Sequence, residues 1–165
     1  AASDVYKRQI LECTVELIRR KADDGRIPVV NKDEVLNFMK MKCPKVILSM
    51  RDKGIESVPR QLRFLVEDGY LARIVVPKKE GKATYYTLGK KFMEGVEIPQ
   101  NLAYKVKRLI IEKRLGLLVS MARIKKPPYG EQLLRDELLR KHRNMLEALG
   151  VTEEELNQII KDLLS

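Results

Sequence analysis

The sequence contains one histidine, two cysteines and no apolar run near the roughly 18 to 20 residues that a membrane-crossing helix needs. Each shortage closes off a class of protein. Without an apolar span, a soluble protein is expected. Cys13 and Cys43 stand far apart in the sequence with no metal-ligand neighbours, which argues against a zinc site and against a disulfide framework, and favours a reducing cytoplasm. There is no glycine-rich phosphate loop and no metal-spaced His/Cys set. His142 shares a helical face with Leu138 and Met145, which marks it as a packing residue, so no nucleophile and base pair can be assembled. The expectation is therefore a protein that is not an enzyme and carries no metal or cofactor.

What is present is charge. Of 165 residues, 34% are charged and 44% hydrophobic, a balance that is neither disordered nor membranous. The formal charge of +10, with a pI near 9.6, calls for an anionic partner. Nucleic acid leads, with an acidic membrane surface behind it.

Residues 1–9, AASDVYKRQ, have no periodicity and end where an amphipathic pattern begins. They resemble a translated sequencing adapter and are expected to be a non-native leader outside the fold. From Ile10 to about Lys21, Ile10, Leu11, Cys13, Val15, Leu17 and Ile18 recur at helical spacings, and Asp23, Asp24 and Gly25 stop the helix. Arg26 to Val30, around Pro28, is a candidate third, edge strand. Asn31 and Glu34 form a capping signal for a second helix with Val35, Leu36 and Met39 inward. After Pro44, a short helix over 45–53 turns Val46, Ile47 and Met50 inward. Its closeness to the next helix favours it over 32–43 as the first helix of a helix-turn-helix.

The stretch from Gly54 to Leu88 organises the rest. Ser57 is placed to cap a helix whose apolar stripe is Val58, Leu62 and Leu65. Arg60, Arg63 and Phe64 fall on the opposite side with Glu56 and Glu67. Arginines facing away from a helix core suit a major groove, where Arg pairs bidentately with guanine. Gly69 ends the helix, and Leu71 to Val76 with Thr84 to Leu88 read as a hairpin. Its loop, 77–83, carries Lys78, Lys79 and Lys82, point charges suited to phosphate or the minor groove. Tyr85 and Tyr86 point to opposite sides, one to the core and one to the wing face.

SVPRQLRFLVEDGYL followed by GKATYYTLGKKF resembles the recognition helix and wing of winged helix-turn-helix transcription regulators of the MarR, ArsR and PadR kind. The likeness covers about 35 residues and suits the superfamily better than any one family. It implies that Arg60, Gln61, Arg63 and Phe64 lie near base edges and that Lys78, Lys79 and Lys82 lie on the wing. With Ser57 at the helix start, these are the candidate DNA-binding residues.

Val96 to Gln100 reads as a linker around Pro99. Asn101 to about Ile124 then has the spacing of one long helix, about 36 Å if wholly helical, with Leu102, Val106, Leu109, Ile110, Leu117, Met121 and Ile124 on one face. Ile111, Leu115 and Val119 occupy the other side, and Gly116 and Ser120 would let another backbone approach. Between Lys105 and Lys126 stand 8 Lys/Arg against 1 Glu. Lys105, Arg108, Arg123 and Lys126 share one side, where they extend a phosphate footprint or keep a buried helix soluble. Pro127, Pro128 and Gly130 break the chain. Leu134, Leu138, Met145 and Leu149 then form a packing seam on one helix closed by Gly150, and Thr152 with Glu155 caps a last helix buried through Leu156, Ile159, Ile160 and Leu163. From Glu131 to Ser165 there are 5 Lys/Arg and 8 Asp/Glu, so this tail is expected to face a partner or solvent and keep off DNA.

The fold expected is mostly α with a small β-hairpin: a winged helix-turn-helix domain over 10–98, then a helical extension over 99–165. The function expected is sequence-specific binding of double-stranded DNA by a homodimeric transcription regulator, dimerising through the helices after Pro99. Two alternatives stand beside it. One is a winged-helix interaction module of a replication, chromosome-maintenance or transcription assembly; the other is the DNA-binding part of a plasmid or mobile-element initiator.

Overall fold

The computed structural model describes all residues except Ala1 and Glu56, and only the backbone of Ala2 and Ser3. Among the described residues the elements in chain order are α1 (Ala2–Asp23), α2 (Lys32–Lys42), α3 (Pro44–Asp52), α4 (Val58–Glu67), β1 (Leu71–Pro77), β2 (Lys82–Leu88), α5 (Leu102–Leu115), α6 (Leu118–Lys125), α7 (Tyr129–Lys141), α8 (Arg143–Leu149) and α9 (Glu153–Leu164). The chain is mostly helical with one small antiparallel hairpin.

Local chemistry accounts for most boundaries. Asn31 and Glu34 exchange side-chain and backbone hydrogen bonds in a capping box at α2, and Thr152 with Glu155 does the same at α9. Such caps satisfy amide donors that a helix start leaves open, and each is worth about 1 kcal/mol. Pro44 lies in the first turn of α3, where its missing N–H is no loss. Gly69, at φ +87, turns the chain from α4 into β1. Gly89 closes the other end of the hairpin: a Cβ there would stand 2.3 Å from the carbonyl oxygen of Gly69, so only glycine fits.

β1 and β2 pair antiparallel from Leu71↔Leu88 to Pro77↔Lys82. The expected edge strand is reduced to one residue: Val30 exchanges both backbone hydrogen bonds with Tyr86, at 2.9 and 2.7 Å. Thr87 Oγ1 donates to Pro28 O at 2.9 Å, and Lys21 Nζ reaches both Val29 O at 2.8 Å and Glu34 at 2.6 Å. These bonds tie the end of α1, the bridge residue and the start of α2 into one corner.

Three expectations need correction. First, α1 does not start at Ile10. It runs back to Ala2, within the stretch read as a leader, Tyr6 is buried in the core, and its hydroxyl shares a 2.6 Å hydrogen bond with Ser49 on α3. Second, the long helix over 101–124 is two helices. Gly116 takes φ +56 and ψ −128, a conformation closed to L side chains, and the chain turns there. No backbone packs against Gly116, which has open space where a Cβ would be. The turn also rearranges the faces: Ile111, Leu115 and Val119 are buried, while Leu117 and Ile124 are 83% and 80% exposed. Third, the seam from Leu134 to Leu149 lies on two helices, α7 and α8, joined at His142, though all four of its apolar residues are buried.

The buried cluster is continuous from Tyr6 to Leu163. Val96, in the segment read as a linker, is part of it, and α5 packs on α1 and β2 while α8 packs on β1. The helices after Pro99 therefore share one core with the residues before it. Leu62, Leu65, Ile111, Leu134 and Ile159 are fully buried at its centre. Truncating such a leucine to alanine costs about 2 to 5 kcal/mol. Among the described residues no helix is long and apolar enough to cross a membrane.

Candidate nucleic-acid interface

α4 divides cleanly by face. Val58, Leu62 and Leu65 are buried, and Arg60, Arg63 and Glu67 are exposed on the other side. Positions 60, 63 and 67 are three and four residues apart, so their side chains stand in one row. Glu56, expected to border the same face, lies outside the described residues.

Gln61 does not lie in that row. It is 2% exposed, on the Leu65 side of the helix, because residues four apart differ by only about 40°. Its Oε1 has no hydrogen-bond partner. It is a core residue and is removed from the base-contact set. Ser57 occupies the N-cap position and is exposed, but its side chain makes no capping hydrogen bond. Phe64 is half-buried at the edge of the row. The Arg60 guanidinium lies 5.8 Å from its ring centroid and Lys7 Nζ lies 5.5 Å from it, so two cations lie within cation–π distance of the ring. Lys7 also pairs with Asp68 at 3.8 Å. It belongs to the stretch that resembles an adapter, so one of the two cations at the Phe64 ring comes from residues expected to be a leader.

The hairpin turn is tighter than the seven-residue loop expected. The strands extend to Pro77 and Lys82, Lys78 N donates to Gly81 O at 3.0 Å, and Gly81 adopts φ +85. Lys78, Lys79 and Lys82 are all exposed, with Glu80 among them. At the base of the hairpin, Tyr86 is buried and Tyr85 is half-buried facing a cleft, the opposed orientation that strand alternation requires. One arginine row and one lysine turn thus stand on consecutive parts of the chain, α4 and the hairpin that follows it.

The second basic set does not assemble. The turn at Gly116 puts Lys105 and Arg108 on α5, and Arg123 and Lys126 at the far end of α6. Lys105 pairs with Asp23 at 3.6 Å, and Arg123 Nε donates to Leu163 O at 2.8 Å, closing the end of α9. Arg108 lies near the Tyr104–Asp162 hydrogen bond that joins α5 to α9. Burial, and then that bond to Asp162, push the Tyr104 hydroxyl up to about 12. Lys126 is exposed beyond the end of α6. These cations act mainly within the fold.

Three features depend on the folded arrangement of the chain. A cleft of ≈ 960 Å³ lies between the hairpin and α5, walled by Ile74, Val76 and Tyr85 on one side and by Leu109, Lys113 and Arg114 on the other. A row of exposed apolar side chains, Leu117, Met121 and Ile124, runs along α6 and is followed by Tyr129. The sulfur atoms of Cys13 and Cys43 lie 3.9 Å apart, so the distance in sequence that argues against a disulfide does not hold in space. The cleft and the cysteine contact arise from tertiary packing, which local spacing does not record, and the exposure of the apolar row follows from the turn at Gly116.

Among the described residues no group of three or more His, Cys, Asp or Glu is placed to hold a metal ion. No family model, curated protein or solved structure matches the chain.

Proposed function

We propose that this chain is a winged helix-turn-helix protein that binds double-stranded DNA in a sequence-dependent way, with α4 in the major groove and the hairpin turn against phosphate or the minor groove. The observation that carries the reading is the pairing of an outward arginine row, Arg60 and Arg63, with a turn of three exposed lysines on the next element. The order α1, a single bridging residue at Val30, two short helices, α4 and the hairpin supports a winged helix, with α3 as the first helix of the helix-turn-helix. The net charge of +10 supplies the long-range attraction that a polyanion requires.

The protein works as a homodimer that regulates transcription, and the apolar row on α6 is its contact. Two recognition helices about one turn of DNA apart then read a pseudo-palindromic site. The same row supports a second reading, in which α6 docks on another protein and the winged helix is a module of a larger assembly. Replacing Arg60 and Arg63 by Ala separates the two: the module keeps its partner, while the regulator loses its operator.

The direct test is selection of binding sites from a random duplex library, followed by affinities of Arg63→Ala and of Lys78→Ala/Lys79→Ala/Lys82→Ala on the selected site. Arg63→Ala is expected to cost about 1 to 3 kcal/mol and to relax preference at one base position. The triple lysine variant is expected to weaken all duplexes alike, lowering the salt slope by about one for each phosphate no longer neutralised. Failure of any sequence to enrich, with both variants binding like the parent, overturns the proposal.

A further inference from the structure

Cys13 lies on α1, and Cys43 is the single residue that ends α2 and begins α3. Both are partly buried, and their sulfurs are in contact at 3.9 Å. A disulfide needs about 2.05 Å, so closure asks for an approach of about 2 Å, the motion that one rotation about a Cα–Cβ bond supplies. The chain has no third cysteine to compete.

We propose that Cys13 and Cys43 form an internal disulfide by exchange with a diffusible small-molecule disulfide, fastening α1 to the α2–α3 junction. The balance closes without any other oxidant. The Cys43 thiolate attacks one sulfur of the small disulfide, making a mixed disulfide and releasing one small thiol, which takes up the Cys43 proton. The Cys13 thiolate then attacks the Cys43 sulfur, the internal bond forms, and the second small thiol leaves with the Cys13 proton. Two protein thiols are oxidised by two electrons, and one small disulfide is reduced to two thiols.

The order follows from the surroundings. Burial, reinforced by the neighbouring Cys43, pushes the Cys13 thiol up to about 12, so it is a poor first nucleophile and acts only when the mixed disulfide is held against it. Exchange is therefore slow at neutral pH, and the bond is a staple, not a fast sensor. Because the sulfurs already touch, the fold changes little when the bond forms. The closed loop spans the bridge residue Val30 and all of α2, so the unfolded chain loses freedom that the folded one never had.

The test incubates the reduced 165-residue chain with oxidised glutathione near pH 8 and follows free thiols, intact mass and thermal unfolding. Free thiols should fall from two to none with a mass loss of two hydrogens and no retained glutathione, and the melting temperature should rise by about 5 to 10 °C. Cys13→Ser should hold one glutathione on Cys43, and Cys43→Ser should stay largely unreacted. The wild-type mass result does not depend on either variant folding. Retention of glutathione by the wild-type chain, disulfide-linked dimers, or two thiols that persist while unfolding controls react would each overturn the proposal.

Discussion

Gln61 and Arg63 stand two positions apart on α4 and meet opposite environments, one 2% exposed and the other in solvent. The contrast shows what single residues disclose in advance. The caps at Asn31 and Thr152 are legible because donor and acceptor lie three residues apart, inside one turn. The outward Arg60 and Arg63 are legible because the stripe of Val58, Leu62 and Leu65 leaves only one side for them. Gln61 misleads because amide polarity suggests solvent while its angle, close to that of Leu65, dictates burial. The Cys13–Cys43 contact is invisible in the sequence, since packing of α1 on α2 creates it. His142 supports a prediction at this scale. Burial, and after it the charge of Arg114, hold its imidazole below the ordinary 6.5, while Glu137 pulls the other way. A folded-state value below the unfolded one means that stability is full above about pH 6.5 and is lost as pH falls through the folded value. Thermal unfolding between about pH 7 and 5.5 should therefore show a decline that is shallower in His142→Asn, by a few degrees at most for a partly exposed ring. Parallel curves for the two proteins would remove this role.

Elements are legible where one period ends at a strong stop, and obscure where it does not. Gly69 and Gly150 each follow the last apolar position of a helix, and both helices end there. Gly116 interrupts a pattern that continues at helical spacing on both sides, so the sequence alone favours one helix through it. Only the backbone, with φ +56 and ψ −128, reveals the turn. Residues 2–9 offer the reverse lesson: a stretch without periodicity still extends α1 and places Tyr6 in the core. Splitting the long helix separates Leu117, Met121 and Ile124 from the face expected to carry them with Leu102, Val106 and Ile110, and leaves them at the surface. If this row is the dimer contact, Leu117→Ser with Ile124→Ser should convert a dimer into a monomer in sedimentation, with the melting temperature of the monomer held within about 3 °C, because these side chains have little burial within one chain. A dimer that survives the double change would move the interface elsewhere.

At the scale of the whole molecule, the fold joins a basic body to an acidic tail through one core. α5 lies on α1 and β2, Arg123 closes α9, and Lys107 pairs with Glu155 at 2.9 Å, so the net-negative last helices are held to the basic segment before them. Part of the positive charge that the composition offers to a partner is thus used internally. The exposed cations best placed for a partner are Arg63 and the lysine turn, together with Lys125 and Lys126 at the end of α6. A surface of this kind should bind duplex by releasing counterions, with log affinity falling by about 0.9 per phosphate contacted for each tenfold rise in salt. The most direct measurement is fluorescence anisotropy of a labelled duplex titrated with the full chain at salt concentrations from about 50 to 200 mM. A DNA-binding role for α4 and the hairpin predicts a steep linear loss of affinity, and a shallower slope once Lys78, Lys79 and Lys82 are replaced by Ala. No binding at low salt, or binding indifferent to salt and to those lysines, would contradict it.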